Sequence, residues 1–515
     1  MTKKSIIKSA AMLGAAGVIS KVLGAIYRIP LGNILGAGGM GNYQLAHPIY
    51  TMLLLACTAG ISVAVARMVA ERVAASAPAE AYQVFLVSLR FLAVLGAVGC
   101  ALLYFGADIV MNSLGMGSAA PSLRACGPAL FIVAISSAYR GYYQGLQDLA
   151  PHAISQVVEQ VVRLVCGLYF AKLLAPMGTA YSAAGATIGM AVSEVACLAV
   201  MWGYHRKKGV RYLRDKQRWP ARPILEKLLR IALPTTVGAL AVSLVSGVDS
   251  LCALPQLRAA GFTADEATAL YGLYSGFVSP VVGLCSVFSG AISTSLLPAI
   301  TAARIHGRKA AAHRQISLGM RLSMALGLPA MVVLYLFAQP ILQLMYRSLQ
   351  GEELARAAEL LRLMAPGALF LLIMQVQTGV LQGMGRPGLP VLNILCGTVV
   401  KIAVGLPLLA IPALNIAGAA IGTVACYAIC ALLSVYCVMK FSGASFAFGD
   451  VVAKPALATA FMAAVAWQVY AALSPRGNTP ALLTAALAAI LVYGLCCYFM
   501  FRPKRGRREK ARSGS

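Results

Sequence analysis

The chain has 515 residues, of which 60% are hydrophobic and only 11% are charged, and its mean hydropathy is +0.79. This composition excludes a soluble globular protein of ordinary type and indicates an integral membrane protein. The net charge of +27 would otherwise suggest a nucleic-acid partner. We exclude that partner because the basic residues concentrate in predicted loops and in the tail at 502–512, where anionic lipid attracts them.

Apolar windows of about 20 residues, the length that crosses a bilayer, recur along the whole chain. The first window is interrupted by Lys21 and ends without a small-residue cleavage site, so it predicts a retained helix and not a signal peptide. The sequence predicts about fourteen membrane-spanning helices, at residues 8–29, 44–66, 83–105, 122–144, 152–174, 180–203, 229–251, 271–300, 315–338, 359–382, 389–410, 415–439, 452–473 and 480–500.

The distribution of charge in the loops predicts the orientation of the chain. The most basic segments are the loops at 205–230 and 304–314 and the tail at 502–508. With the N-terminus inside the cell, all three segments lie on the cytoplasmic side, as the positive-inside rule requires. We therefore expect a multi-pass protein of the cytoplasmic membrane with both termini in the cytoplasm.

An internal repeat is visible in the sequence. Residues 141–165, GYYQGLQDLAPHAISQVVEQVVRLV, parallel residues 379–403, GVLQGMGRPGLPVLNILCGTVVKIA. Both copies contain a GxxxG motif, then a proline, then a cation, which is Arg163 in the first copy and Lys401 in the second. Such a repeat is typical of transporters whose halves arose by duplication.

Further along, AAGATIG at 183–189 resembles IAGAAIG at 416–422. The two copies are separated by about six helices, and an even number of helices gives them the same orientation in the membrane. We predict an all-α polytopic membrane protein with two parallel-repeat six-helix lobes, at 1–227 and 228–440. Two further helices and a basic tail follow at 441–515. Alternating access by rocking of the lobes is the mechanism that this architecture suggests.

The first helix carries two cations on one face. Gly17, Lys21, Gly24 and Arg28 step by four, three and four residues, so they lie in one row. The two charges are about 10 Å apart along the helix axis at 1.5 Å per residue. Cations of this kind hold phosphate oxygens well, arginine in a bidentate manner. We predict a cavity wall that binds an anion such as a pyrophosphate; the alternative is that Arg28 reaches the interface and Lys21 pairs with an acid.

Other cations also fall inside predicted spans. Arg90 has no acid three or four residues away, so we expect it to face a cavity, and we expect the same of Arg163 and Lys401. Arg163 follows Glu159 by one helical turn, and an ion pair between these two residues is the alternative. Arg321 lies close to a basic loop, and we expect it to reach the membrane interface.

Two more acids are embedded in the predicted helices, Glu194 and Asp249. They could bind a coupling cation or a proton, or they could pair with Arg90, Lys21 or Arg163. Sequence spacing does not choose between these roles. Glu159 belongs with them as a possible charge partner.

No enzymatic or metal site is predicted. Residues 36–41, GAGGMG, match a dinucleotide-binding pattern, but no βαβ unit surrounds them, so we expect a flexible glycine turn. The five histidines are scattered, and most of the thirteen cysteines lie in apolar runs without paired CxxC spacing. The chain also lacks a Walker A loop. We expect no catalytic residues, no metal and no cofactor.

Residues 20–50, SKVLGAIYRIPLGNILGAGGMGNYQLAHPIY, resemble the opening of the stage V sporulation protein B family of polysaccharide exporters. That family is related to the MurJ-type lipid II flippases. The resemblance implies fourteen helices around a cationic cavity that moves undecaprenyl-diphosphate-linked sugars outward. It also implies that Lys21 and Arg28 correspond to first-helix arginines of the MurJ-type proteins. Met52 stands where that subgroup carries an arginine, and residues 271–277 lack a cation.

Our leading hypothesis is a flippase for a lipid-linked oligosaccharide, a precursor of the cell wall or of a polysaccharide. Its partners would be that anionic lipid and the surrounding membrane lipids, and we expect a monomer. One alternative is a cation-coupled multidrug exporter, which should have a dominant acidic pocket. The other is a non-transporting scaffold for cell-wall or spore-cortex assembly, which would tolerate neutralisation of every embedded charge.

Overall fold

A computed structural model describes residues 3–208, 220–444 and 446–501. The predicted basic tail at 502–512 and part of the loop at 205–230 lie outside these ranges. Within them the chain forms sixteen α-helices and no β-strand. The helices are α1 (Lys3–Ala74), α2 (Pro78–Ser113), α3 (Ala120–Gly145), α4 (Ala150–Leu174), α5 (Thr179–Lys207), α6 (Ala221–Ala259), α7 (Ala264–Gly272), α8 (Ser279–Gly283), α9 (Cys285–Ile305), α10 (Lys309–Leu336), α11 (Ala338–Met345), α12 (Gly351–Gly383), α13 (Gly388–Leu409), α14 (Ala417–Ser442), α15 (Lys454–Leu473) and α16 (Asn478–Phe501).

The all-helical polytopic fold is confirmed. Among the described residues, eleven helices are long and apolar enough to cross a membrane. The bent helix α1 counts once among them, although it covers two predicted spans. Helices α4 and α6 are not among the eleven, yet they lie where the sequence predicts spans. Each of the fourteen predicted windows is mainly helical, and the window at 271–300 is divided among several helical segments.

The glycine-rich segment at 36–41 is not the flexible turn that its sequence suggested. Only Gly36 leaves the helical conformation, with φ 64° and ψ −174°, and it divides α1 into two helical parts. The glycines that follow allow close packing instead. A Cβ atom on Gly41 would overlap the backbone of Thr268, and one on Gly272 would overlap the carbonyl oxygen of Ala37. The segment is thus a tight contact between α1 and α7.

The sequence repeat reappears as a repeated contact. Gly141 on α3 packs against Ser62 on α1, and Gly379 on α12 packs against Ser293 on α9. In both places the serine hydroxyl donates a hydrogen bond to the main-chain carbonyl four residues before the glycine. Small residues of this kind let two helix backbones approach each other inside a membrane.

A second pair of contacts involves the later repeat motif. Gly189 on α5 lies directly against Gly167 on α4, so that a Cβ atom at position 189 would overlap the backbone of Gly167. In the other copy, a Cβ atom on Gly422 would lie 2.9 Å from the Cα atom of Gly405, which joins α14 to α13. These glycine contacts determine the position of α4 along α5 and of α13 along α14.

The described helices cluster into two compact units. The first contains the described residues within 1–284, 346–353 and 394–426, and the second contains those within 285–345, 354–393 and 427–501. The first unit has an aromatic and aliphatic core in which Phe85, Tyr142 and Leu92 are buried. The second has cores around Val376 and Val380. The predicted lobes at 1–227 and 228–440 describe the duplication of the sequence and stay a prediction.

Gly189→Ala should destabilise the protein by about 1–3 kcal/mol, because the added methyl group forces the backbones of α4 and α5 apart. Gly203→Ala on the same helix is the matched control, since nothing lies within 4 Å of a Cβ atom there. Thermal melting of the detergent-purified variants measures both effects. Equal melting temperatures for the two variants would contradict the assigned contact.

Candidate functional site

The first part of α1 presents an open row of glycines and cations. The row, called here the first-helix face, consists of Gly14, Gly17, Lys21, Gly24 and Arg28. Cβ atoms on the first two glycines would meet no heavy atom within 4 Å, and one on Gly24 would meet only a side-chain oxygen 3.6 Å away. Lys21 and Arg28 are both exposed. Within the described part of the chain, no carboxylate lies at ion-pair distance from either cation.

A second group of charges lies between α3, α4 and α5 and forms an alternating row, called here the four-charge chain: Arg140, Glu159, Arg163 and Glu194. Arg140 Nη2 lies 3.3 Å from Glu159 Oε2, and Arg163 Nη2 lies 2.9 Å from Glu159 Oε1. Arg163 Nη2 also lies 3.1 Å from Glu194 Oε1. The structure thus shows the ion pair between Glu159 and Arg163, which the sequence left open as the alternative to a cavity-facing Arg163, and it also pairs Glu194 with Arg163.

The four-charge chain is compensated and almost enclosed. Both glutamates are buried, with Glu159 8% and Glu194 5% exposed. Donor atoms of these two acids and of Cys197 lie within 4.8 Å of one another, close enough to share a metal ion. Two guanidinium groups already bind the carboxylates, however, and Arg140 Nη2 also lies 3.1 Å from the cysteine sulfur. A divalent cation would meet two positive charges there, so the arrangement favours ion pairing over metal binding.

A third group, called here the Lys401 cage, consists of Asp249 on α6, Tyr274, Lys401 on α13 and Thr423 on α14. Tyr274 lies in a π-helical segment, Leu273–Val278, between α7 and α8. Lys401 Nζ donates to Asp249 Oδ2 at 2.7 Å. The Tyr274 hydroxyl donates to the same oxygen at 2.8 Å and lies 2.7 Å from Thr423 Oγ1. Asp249 thus pairs with Lys401, a partner that sequence spacing did not suggest.

Arg90 belongs to none of these three groups. It is exposed on α2 in the same row as Val94, Val98 and Phe105, which are 66%, 52% and 77% exposed. A row of large exposed apolar side chains on a membrane helix faces lipid, so this position favours an arginine that extends toward the interface. Arg321 is half-buried and lies 3.3 Å from Asp450.

Sequence reasoning missed three members of these groups. Arg140 follows directly on from the apolar run of α3 and immediately precedes the GxxxG motif, and its position inside a predicted span was the signal that could have found it. Tyr274 and Thr423 gave no such signal, because tyrosine and threonine are common in membrane helices. All thirteen cysteines are free thiols, as their placement in apolar helices suggests.

Comparison with known proteins agrees with this architecture. The family model described as "Polysaccharide biosynthesis protein" matches residues 6–304, more than half of the chain, and the model described as MatE matches residues 265–406. Stage V sporulation protein B of Bacillus subtilis (strain 168) is 29% identical over 444 residues, which cover 85% of each chain. The lipid II flippase MurJ of the same organism is 26% identical over 411 residues, covering 76% of this chain and 75% of its own.

Solved structures resemble the fold over almost its whole length. A structure described as "Lipid II flippase MurJ, inward closed conformation" superposes with a TM-score of 0.73 at 16% identity, covering 96% of this chain and 99% of the other. At that identity the likeness concerns the fold alone. Together with the family match, it means that the chain belongs to the polysaccharide biosynthesis protein family and is a multi-pass membrane exporter of the MOP superfamily.

Proposed function

We propose that this protein is a flippase that moves a polyprenyl-diphosphate-linked sugar across the cytoplasmic membrane by alternating access. One observation carries the proposal: Lys21 and Arg28 are exposed on one face of α1 and have no acidic partner among the described residues. Both termini lie in the cytoplasm in this proposal, as the positive-inside rule predicts. The protein acts as a monomer and requires no cofactor.

The composition of the first-helix face supports an aqueous surrounding. A cation that faces hydrocarbon costs about 2.5–3.5 kcal/mol on insertion scales. Arg90 lies in a row of large apolar side chains that dissolve in lipid, whereas Lys21 and Arg28 alternate with glycines that offer nothing to lipid. The bare backbone leaves room for a bulky ligand beside the two charges. The two positions are about 10 Å apart along the helix axis, and their long side chains can converge on one anionic head group with two phosphates.

The state of the embedded acids supports an anionic cargo over a cationic drug. Glu159, Glu194 and Asp249 are each bound to an arginine or a lysine. An exporter for cationic drugs needs an acid that is free to bind its substrate. Lys21 and Arg28 keep an uncompensated positive charge among the described residues, so the first-helix face attracts anions. Arg163 and Lys401 are neutralised by their partners, and we assign them to holding helices together and not to direct contact with cargo.

The relatives narrow the class of cargo. One of them is described as a lipid II flippase and another as a sporulation protein. This chain carries Met52 where the MurJ-type proteins carry an arginine, and its segment 271–277 has no cation. We therefore assign an undecaprenyl-diphosphate glycan as the class of cargo and do not specify the sugar.

Lys21→Ala and Arg28→Ala should each lower the rate of flipping about tenfold or more, because a hydrogen bond to a charged group contributes about 1.5–3 kcal/mol. The measurement is the leaflet accessibility of labelled lipid II in cells whose own flippases are depleted and which express the variant. Arg90→Ala, which removes an equal charge from the lipid-facing row, is the matched control and should retain the wild-type rate.

Lys21→Arg should retain most of the activity, since it preserves the charge. Wild-type flipping by the Lys21→Ala/Arg28→Ala double variant would overturn the assignment of the first-helix face. Loss of drug efflux together with unchanged lipid flipping would instead support a multidrug exporter. Normal growth with every embedded cation neutralised would support a scaffold.

Glu159→Gln should destabilise the protein more than Glu194→Gln, because Glu159 binds two guanidinium groups and Glu194 binds one. Removing one partner of a buried ion pair costs about 3–5 kcal/mol, since the other charge stays buried without compensation. Thermal melting of purified variants gives the order. If Glu194→Gln abolished transport at wild-type stability, the acid would be a coupling residue and not a structural partner.

A further inference from the structure

The Lys401 cage brings together groups from four separate segments of the first unit. Its three other members, Asp249, Tyr274 and Thr423, present a carboxylate, a phenol and a hydroxyl. Tyr274 and Thr423 are 2% and 4% exposed. The phenol oxygen links the acid to the threonine at 2.8 Å and 2.7 Å. Apart from the ammonium, the cage is therefore a small buried cluster of oxygen atoms.

Oxygen clusters of this composition are ligands for small hard cations. Here the positive charge comes from the chain itself, because Lys401 Nζ lies 2.7 Å from the Asp249 carboxylate. An ammonium group has three donors and no acceptor, so it makes the same kind of contacts with oxygen as a bound alkali ion. The cavity beside it is lined mainly by apolar residues and has room for about one water molecule.

We infer that the Lys401 ammonium is a built-in cation that occupies a monovalent-cation site, so that this site takes up no free Na⁺ during transport. The carboxylate of Asp249 is already compensated, and a second positive charge in the same buried cage would have no counter-charge. Shortening Lys401 would leave the acid and the two hydroxyls as an empty site for Na⁺ or Li⁺. This inference concerns the ion and does not depend on the identity of the cargo.

The repeat supports a fixed cation at this place. Arg163 occupies the equivalent position in the first copy, four residues before Gly167, as Lys401 lies four residues before Gly405. Both glycines pack against the facing helix. This contact determines where the preceding cation lies along the helix axis. Each copy thus holds a charge of the chain itself, and each uses it to neutralise an acid from another helix.

The test is cation-dependent thermal stability of the purified full-length protein at constant ionic strength, in choline, K⁺, Na⁺ or Li⁺ chloride. The wild type should melt at the same temperature in all four salts. Lys401→Ala should melt lower in choline and should regain stability in Na⁺ or Li⁺ with saturation, because a ligand that binds only the folded state stabilises it. Radiolabelled Na⁺ should bind to that variant and not to the wild type.

The double variant Lys401→Ala/Asp249→Asn should lose the Na⁺ effect, and Lys172→Ala, which removes an exposed lysine, should never acquire it. Lys401→Met keeps the length of the side chain and fills the site, so it should lose stability without gaining a Na⁺ effect as large as that of the alanine variant. Saturable Na⁺ binding by the wild type that Asp249→Asn abolishes would overturn the inference. So would a folded Lys401→Ala protein that shows no cation-specific stabilisation.

Discussion

A charge inside a bilayer must either find a partner or reach water, and this constraint organises the first unit of the protein. The four-charge chain and the Lys401 cage follow the first course, with acids and bases from different helices bound to one another. Their members therefore act as links between helices and contribute no free charge. Lys21 and Arg28 follow the second course, on a face of α1 whose other positions are glycine. The proposed site is positively charged because its two cations have no acidic partner among the described residues, whereas the other embedded cations of these groups are paired.

The repeated sequence motifs form the helix contacts that position these charges. Equivalent glycines allow α4 to pack closely against α5 and α13 against α14. Equivalent serines on α1 and α9 donate hydrogen bonds to main-chain carbonyls of α3 and α12. The cation before the glycine persists in both copies, but its acid comes from a different place in each. Arg163 uses acids on its own helix and on α5, while Lys401 uses an acid on α6. The backbone contacts are thus alike in the two copies, whereas the ion pairs beside them differ.

Whether a feature of this protein could be predicted from the sequence depends on how far apart along the chain the residues that determine it lie. The fourteen apolar windows could be predicted because crossing a bilayer requires about 20 apolar residues in a row, which is a local property. The turn expected at 36–41 was wrong because glycine serves equally in a flexible loop and in a tight helix contact, and only the facing helix distinguishes them. Arg90 was expected to face a cavity because its span contains no nearby acid. Its neighbours Val94 and Val98 on the folded helix are exposed and apolar, which the spacing of charges alone did not reveal.

The amino-acid sequence by itself determined the class of protein and the helical windows, since both depend on residues close together in the chain, and comparison of its two segments showed the repeat. The spacing of Glu159 and Arg163 allowed an ion pair but did not choose it over a cavity-facing Arg163. The tertiary structure decided the partners of Glu194 and Asp249. Their ion pairs span 31 and 152 residues, and no spacing rule reaches that far. It also decided that Lys21 and Arg28 have no acidic partner among the described residues, because whether a charge is compensated depends on every helix that packs around it.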